Sequence, residues 1–114
     1  MDLPPPPACL DDDLPIDPAS LTFQEMAAIA KAMGHPARIE IIEFFQECKP
    51  LSVREIAAHL TLSQSSVSEH LRILRDASIL CTKNDGPRKW HCLNRSVLLR
   101  FARDTEAMTI RTDR

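Results

Sequence analysis

From Leu21 onward the apolar residues recur at helical spacing. Phe23, Met26, Ala27, Ala30 and Met33 follow one another at i, i+3 and i+4 intervals, which predicts a helix with one apolar stripe. Thr22 and Glu25 form a T-x-x-E capping box at its start, and Gly34 stops it. Pro36 suits the first turn of a second helix, whose stripe runs through Ala37, Ile41, Phe44 or Phe45, and Cys48, and which ends before Pro50. Ser52 and Glu55 make another capping box, opening a short helix with Val53, Ile56, Ala57 and Leu60 inward. Ser63 then caps a fourth helix with Val67, Leu71 and Leu74 on its apolar face.

After Ala77 the period changes. Ile79 to Lys83 and Arg88 to Leu93 are short β-prone runs around Asn84-Asp85-Gly86-Pro87, a strong turn signal. They predict a β-hairpin with Lys83, Arg88 and Lys89 flanking its tip. A last helix from about Arg95 presents Val97, Leu98, Phe101, Ala102, Thr105 and Met108 along one side. The predicted fold class is mainly α with a small β-hairpin, in the order α-α-α-α-β-β-α, with no internal repeat.

Composition narrows the function. The chain has 114 residues, a length that suits one domain. Two glycines leave no room for a G-x-G-x-x-G or Walker-type phosphate loop. No stretch approaches the roughly 20 apolar residues of a membrane helix. Four cysteines, with nothing like a secretory leader before them, fit a reduced, cytoplasmic setting better than a disulfide scaffold. The net charge of −2 speaks at face value against nucleic acid. Its distribution does not: residues 1–30 hold six acids and no base, so the remaining 10 acids and 14 bases leave +4 on residues 31–114. Six of the nine prolines fall in the first 20 residues. Residues 1–20 therefore read as a disordered Pro/Asp-rich arm, 21–110 as the folded domain and 111–114 as a tail.

The stretch with chemistry is Val53 to Leu74. Two capped helices are separated by Thr61-Leu62-Ser63, a connection of helix-turn-helix length, with Thr61 where many such turns have Gly. Ala57 and Val67 are placed to let the helices cross closely. Opposite the second helix's apolar face lie Gln64, Ser65, Ser66, Ser68, Glu69, Arg72 and Arg75. Short hydroxyls and an amide at a helix N-terminus can approach base edges, and the terminus itself favours a phosphate. Arg72, Arg75 and the hairpin bases would supply contacts to the DNA backbone. His70 is expected at the edge of the core, bonding locally or reaching a phosphate.

The runs AMGHPARIEIIEFF, SVREIAAHLTLSQSSVSEHLRILRDASIL and GPRKWHCLN resemble the ArsR/SmtB family of winged-helix repressors over roughly residues 22–110. The resemblance makes Gly34-His35-Pro36-Ala37-Arg38 the junction of the first two helices, and Ser65 to Leu71 part of the recognition helix. It implies a homodimer built from the first and last helices, whose seam would be Phe23, Met26, Ile29, Ala30, Val97, Leu98, Phe101 and Met108. It further implies repression by occupying a partly palindromic operator, relieved by an inducer. Two metal sites common in the family are missing. Pro50 to Ile56 contains no cysteine where a C-x-C pair would stand, and the last helix offers Asp104 and Glu106 but no histidine.

Among the cysteines, Cys48 reads as a core thiol and Cys9 lies in the arm. Cys81 and Cys92 fall on opposite strands of one hairpin, within disulfide reach in the right register. They either fill the strand faces or form a thiol or soft-metal sensor, joined by His91 or a third cysteine. No spacing supports a catalytic triad or dyad, so an enzyme is not expected and no cofactor is implied. The rival to a DNA-binding repressor is a winged-helix protein-interaction module.

Overall fold

Both capping boxes close as the sequence predicts. In the computed structural model, which describes residues 17–45 and 51–110, Thr22 Oγ1 accepts from the Glu25 amide while Glu25 Oε1 accepts from the Thr22 amide at 2.8 Å. This starts α1 (Phe23–Met33), and α2 (Pro36–Phe44) follows with proline in its first turn and His35 as its cap. The Ser52/Glu55 box opens α3 (Val53–Leu60), and Ser63 caps α4 (Gln64–Asp76). The hairpin is β1 (Leu80–Asp85) and β2 (Arg88–Leu93), and α5 (Arg95–Ala107) completes the described chain.

Among the described residues the backbone turns left-handed at Thr61, Ser78 (φ 63°) and Gly86. Thr61, joining α3 to α4, adopts the left-handed conformation at φ 54°. A β-branched residue there bears the steric cost that glycine avoids. Gly86 turns the hairpin at φ +59°, where a glycine is needed. The strands extend through Asn84 and Asp85, so the turn is tighter than the four residues predicted.

The hairpin is antiparallel with an unbroken register that sets Leu80 opposite Leu93, Cys81 opposite Cys92, Thr82 opposite His91 and Lys83 opposite Trp90. Leu51, just before α3, exchanges both backbone hydrogen bonds with His91 at 3.0 Å each. β2 is thus flanked on both sides, and the wing is tied to the start of the helix-turn-helix.

The core gathers Ile29 and Ala32 of α1, Ile41 and Phe45, Ile56 and Ala57 of α3, Val67, Leu71 and Leu74 of α4, and Ile79, Leu80 and Leu93 of the wing. Phe45 fills the core and Phe44 only borders it, which decides between the two. Cys48 lies outside the described residues, as does Cys9. Residues 17–20, placed by sequence in the arm, are held against α5. The Ala19 carbonyl accepts from Arg103 Nη2 at 2.9 Å and from Arg100 Nε at 3.1 Å. One residue further, the Leu21 amide donates to Asp104 Oδ2 at 2.7 Å.

Candidate nucleic-acid interface

α4 presents its first two turns to solvent. Val67, Leu71 and Leu74 bury one side, leaving Gln64, Ser65, Ser66, Ser68 and Glu69 exposed. Ser63 Oγ accepts from the Ser66 amide at 3.1 Å and lies 3.1 and 3.0 Å from the Ser65 and Ser66 hydroxyls. The serine cluster is therefore partly occupied in closing the helix start. Gln64 and Ser68 have no side-chain hydrogen bond among the described residues, and they are the groups best able to meet a base edge.

Arg72 is already engaged. Its Nε donates to Glu69 Oε2 at 3.1 Å and its Nη1 to Asp76 Oδ2 at 3.0 Å. The guanidinium holds the Glu69 carboxyl below its usual range, and Glu69 in turn raises Arg72. A phosphate would have to compete with both carboxylates. Among the described residues, the Arg75 guanidinium has only a 3.9 Å approach to Asp76.

His70 sits at the core edge as expected, but it turns toward α2. Arg38 Nε donates to His70 Nδ1 at 3.3 Å, and Arg38 Nη1 donates to the Ala32 carbonyl at 3.3 Å. The His35 ring lies 4.8 Å from that of His70. Burial, then His35 and Arg38, push His70 below its ordinary pKa, favouring the neutral ring that can accept from Arg38. Arg38 thus links α1, α2 and the candidate recognition helix, a role the sequence reading missed although the residue stood in the Gly34–Arg38 stretch.

The three wing bases do not share one face. Lys83 pairs with Trp90 and Asn84 with Lys89, so alternation sends Lys83 and Lys89 to opposite sides of the hairpin. The Arg88 side chain lies outside the described part of the structure, though its backbone pairs with Asp85 at the tip. His91 is 3% exposed, with neither ring nitrogen hydrogen-bonded among the described residues. Burial, then the charges of Lys89 and Arg75, lower its pKa to about 4. Lys89 of the wing and Arg75 of α4 thus both act electrostatically on this buried ring.

Strand alternation also corrects the proposed thiol site. Cys81 and Cys92 share one face, whereas His91, next to Cys92, points to the other with Thr82. His91 therefore cannot join the two thiols, and no group of three metal-ligating residues occurs among the described residues.

The expected seam divides. Phe23, Met26, Ala30, Phe101 and Met108 line one apolar groove of about 420 Å³, together with Ala27 and Thr105. Phe23 is 83% exposed and Met108 67%. Ile29 does not belong to this face. At 2% exposure it is part of its own chain's core, sharing with Ala32, three residues on, the side of α1 turned toward α2 and α4. Val97 and Leu98 are partly buried against the same core.

Five helices with an antiparallel wing after the helix-turn-helix define a winged-helix regulator. Residues 35–80 match the bacterial regulatory protein arsR family. The HTH-type transcriptional regulator Rv2034 of Mycobacterium tuberculosis is 32% identical over 85 residues, covering 75% of this chain and 78% of that protein. The arsenical resistance operon repressor of Staphylococcus aureus is 28% identical over 78 residues, covering 68% and 74%. The homodimeric winged helix-turn-helix DNA-binding domain of a possible ArsR-family regulator from Mycobacterium bovis superposes with a TM-score of 0.63 at 18% identity, covering 79% of this chain and 89% of that one. The chain belongs to the ArsR family of transcriptional repressors and is not an enzyme. No helix among the described residues is long and apolar enough to cross a membrane.

Proposed function

We propose that the protein represses transcription as a homodimer bound to a partly palindromic operator. Gln64, Ser65, Ser66, Ser68 and Glu69 would face the major groove, while Arg75 and the wing bases Lys83, Arg88 and Lys89 position the duplex through its phosphates. The observation that supports this reading is the solvent-facing start of α4, with Gln64 and Ser68 unengaged among the described residues. Arg72, held by two carboxylates, is a secondary phosphate contact, and His70 positions α4 through Arg38.

The apolar groove between α1 and α5 supports dimerisation. A second copy would cover Phe23, Met26, Ala30, Phe101 and Met108 on each side, as expected of an exposed apolar patch of this kind. The homodimeric Mycobacterium bovis domain is consistent with that arrangement. Pro50 to Ile56 contains no cysteine and the last helix no histidine, so this reading assigns no metal inducer to either of those places. The domain responsible is residues 21–110, with the anchored residues 17–20 as its entry.

The test is fluorescence anisotropy with a duplex from the region preceding the protein's own gene. Binding should be strong at low salt and weaken linearly in a log–log plot as salt rises. A protein with no affinity for that duplex at low salt, yet dimeric and folded, would favour the interaction-module reading instead.

A further inference from the structure

The hydrogen-bond pattern of the wing fixes how its two cysteines meet. His91 spends its backbone N–H and C=O on Leu51, away from β1. In the β1–β2 ladder, Thr82 and His91 are therefore a non-hydrogen-bonded pair, and the next pair, Cys81 and Cys92, is hydrogen-bonded. Such a pair has its Cα atoms about 5.5 Å apart, inside the disulfide range, with both side chains on one face. Cys92 is 2% exposed and Cys81 is partly accessible.

We propose that Cys81 and Cys92 are a redox modification site, closing a reversible disulfide across the base of the wing that weakens operator binding. The oxidant class is a low-molecular-weight disulfide. The Cys81 thiolate attacks it and releases one thiol, leaving a mixed disulfide on Cys81. The Cys92 thiolate then attacks Cys81 Sγ and expels the second thiol, so two cysteine thiols are oxidised as one disulfide is reduced to two thiols. Cys81 takes the first step because Cys92 is closed to solvent.

The bond changes shape as well as chemistry. Directly opposed residues hold their Cβ atoms about 4.5–5.5 Å apart, and a disulfide needs about 3.8 Å. Closing it draws the strands together near Leu80 and Leu93, which anchor the wing in the core. The basic tip beyond is re-aimed against α4. A bond made under such strain is readily reduced, as a switch requires.

The regulatory half of the proposal rests on the operator reading above; the bond does not. The test uses the full chain with Cys9→Ser and Cys48→Ser, treated with oxidised glutathione. Mass spectrometry should show loss of two hydrogens with no glutathione retained, and proteolysis should yield fragments joined through Cys81 and Cys92. The emission of Trp90, the chain's single tryptophan and on the same face two residues before Cys92, should change in parallel. Operator affinity should fall on the order of tenfold and recover with dithiothreitol. Adding Cys81→Ser, a small change at a partly exposed site, should abolish every response. Glutathione retained on Cys81, or a bond joining two protomers, overturns the proposal. A Cys81–Cys92 bond that leaves operator affinity unchanged overturns its regulatory half. If the reduced protein binds no operator, the operator reading fails and the regulatory half with it, while mass and Trp90 emission still decide the bond.

Discussion

α4 and the β1–β2 wing flank the same prospective duplex but are held in different ways. α4 carries its own instructions: a serine cap, three buried aliphatics at helical spacing, and an Arg72 braced by carboxylates three residues before and four after it. The wing borrows its stability. Its inner face is seated by Leu80 and Leu93 in the core and by Leu51 along the edge of β2, and it buries a histidine whose ring nitrogens have no hydrogen-bond partner among the described residues. α4 is thus specified mostly by its own residues, while the wing depends on contacts with distant segments.

The largest expected effect breaks the α4 side of this contrast. Leu74 is fully buried, and Leu74→Ala should cost about 2–5 kcal/mol in urea unfolding. A loss under about 1 kcal/mol would show that α4 is not anchored as described. The wing should instead be sensitive to acid. His91 has a folded pKa of about 4, below the unfolded value of 6.5, so the unfolded chain binds more protons between the two. Stability is complete above about pH 6.5 and falls by on the order of 3 kcal/mol as pH drops to about 4, with no further loss from this group below that. His91→Phe should flatten that slope, measured as unfolding free energy against pH.

Next comes Gln64→Ala, which should cost about 1–3 kcal/mol on the preferred duplex and less on mismatched ones, read by anisotropy against a panel of single-base variants. An equal loss on every duplex would remove Gln64 from base recognition. Thr61→Gly should stabilise the fold by about 0.5–1 kcal/mol by relieving the left-handed turn, as a higher midpoint in thermal unfolding. The smallest effect separates two kinds of cation. Lys89→Ala should reduce the salt slope of operator binding by about one, and Arg72→Ala by less, because Glu69 and Asp76 already hold that guanidinium. Equal slopes would mean that Arg72 leaves its carboxylates when DNA arrives.

Much of the helical framework was legible in the sequence. The caps at Thr22, Ser52 and Ser63, the stop at Gly34 and the apolar stripe of α4 were all readable, since each signal acts within one or two helical turns. Ile29 was misplaced because α1 is apolar on more than one side, and periodicity does not say which stripe meets the core and which meets a partner. The ties of Arg72 were visible as spacings to Glu69 and Asp76 but were read as a free cation. Arg38 reaches His70 across 32 residues, a pairing no local pattern reveals.

By itself, then, the sequence determined the order of elements, their starts and stops, and the residue types along the solvent face of α4. It also showed that a −2 chain carries a +4 segment over residues 31–114. Tertiary structure decided the rest. It set Cys81 against Cys92, turned His91 away from both, divided Lys83 from Lys89, and separated the core residue Ile29 from the exposed groove beside it. Capping and helical periodicity are settled by neighbours a few residues apart. Strand register and burial depend on contacts between distant segments, here above all the pairing of Leu51 with His91.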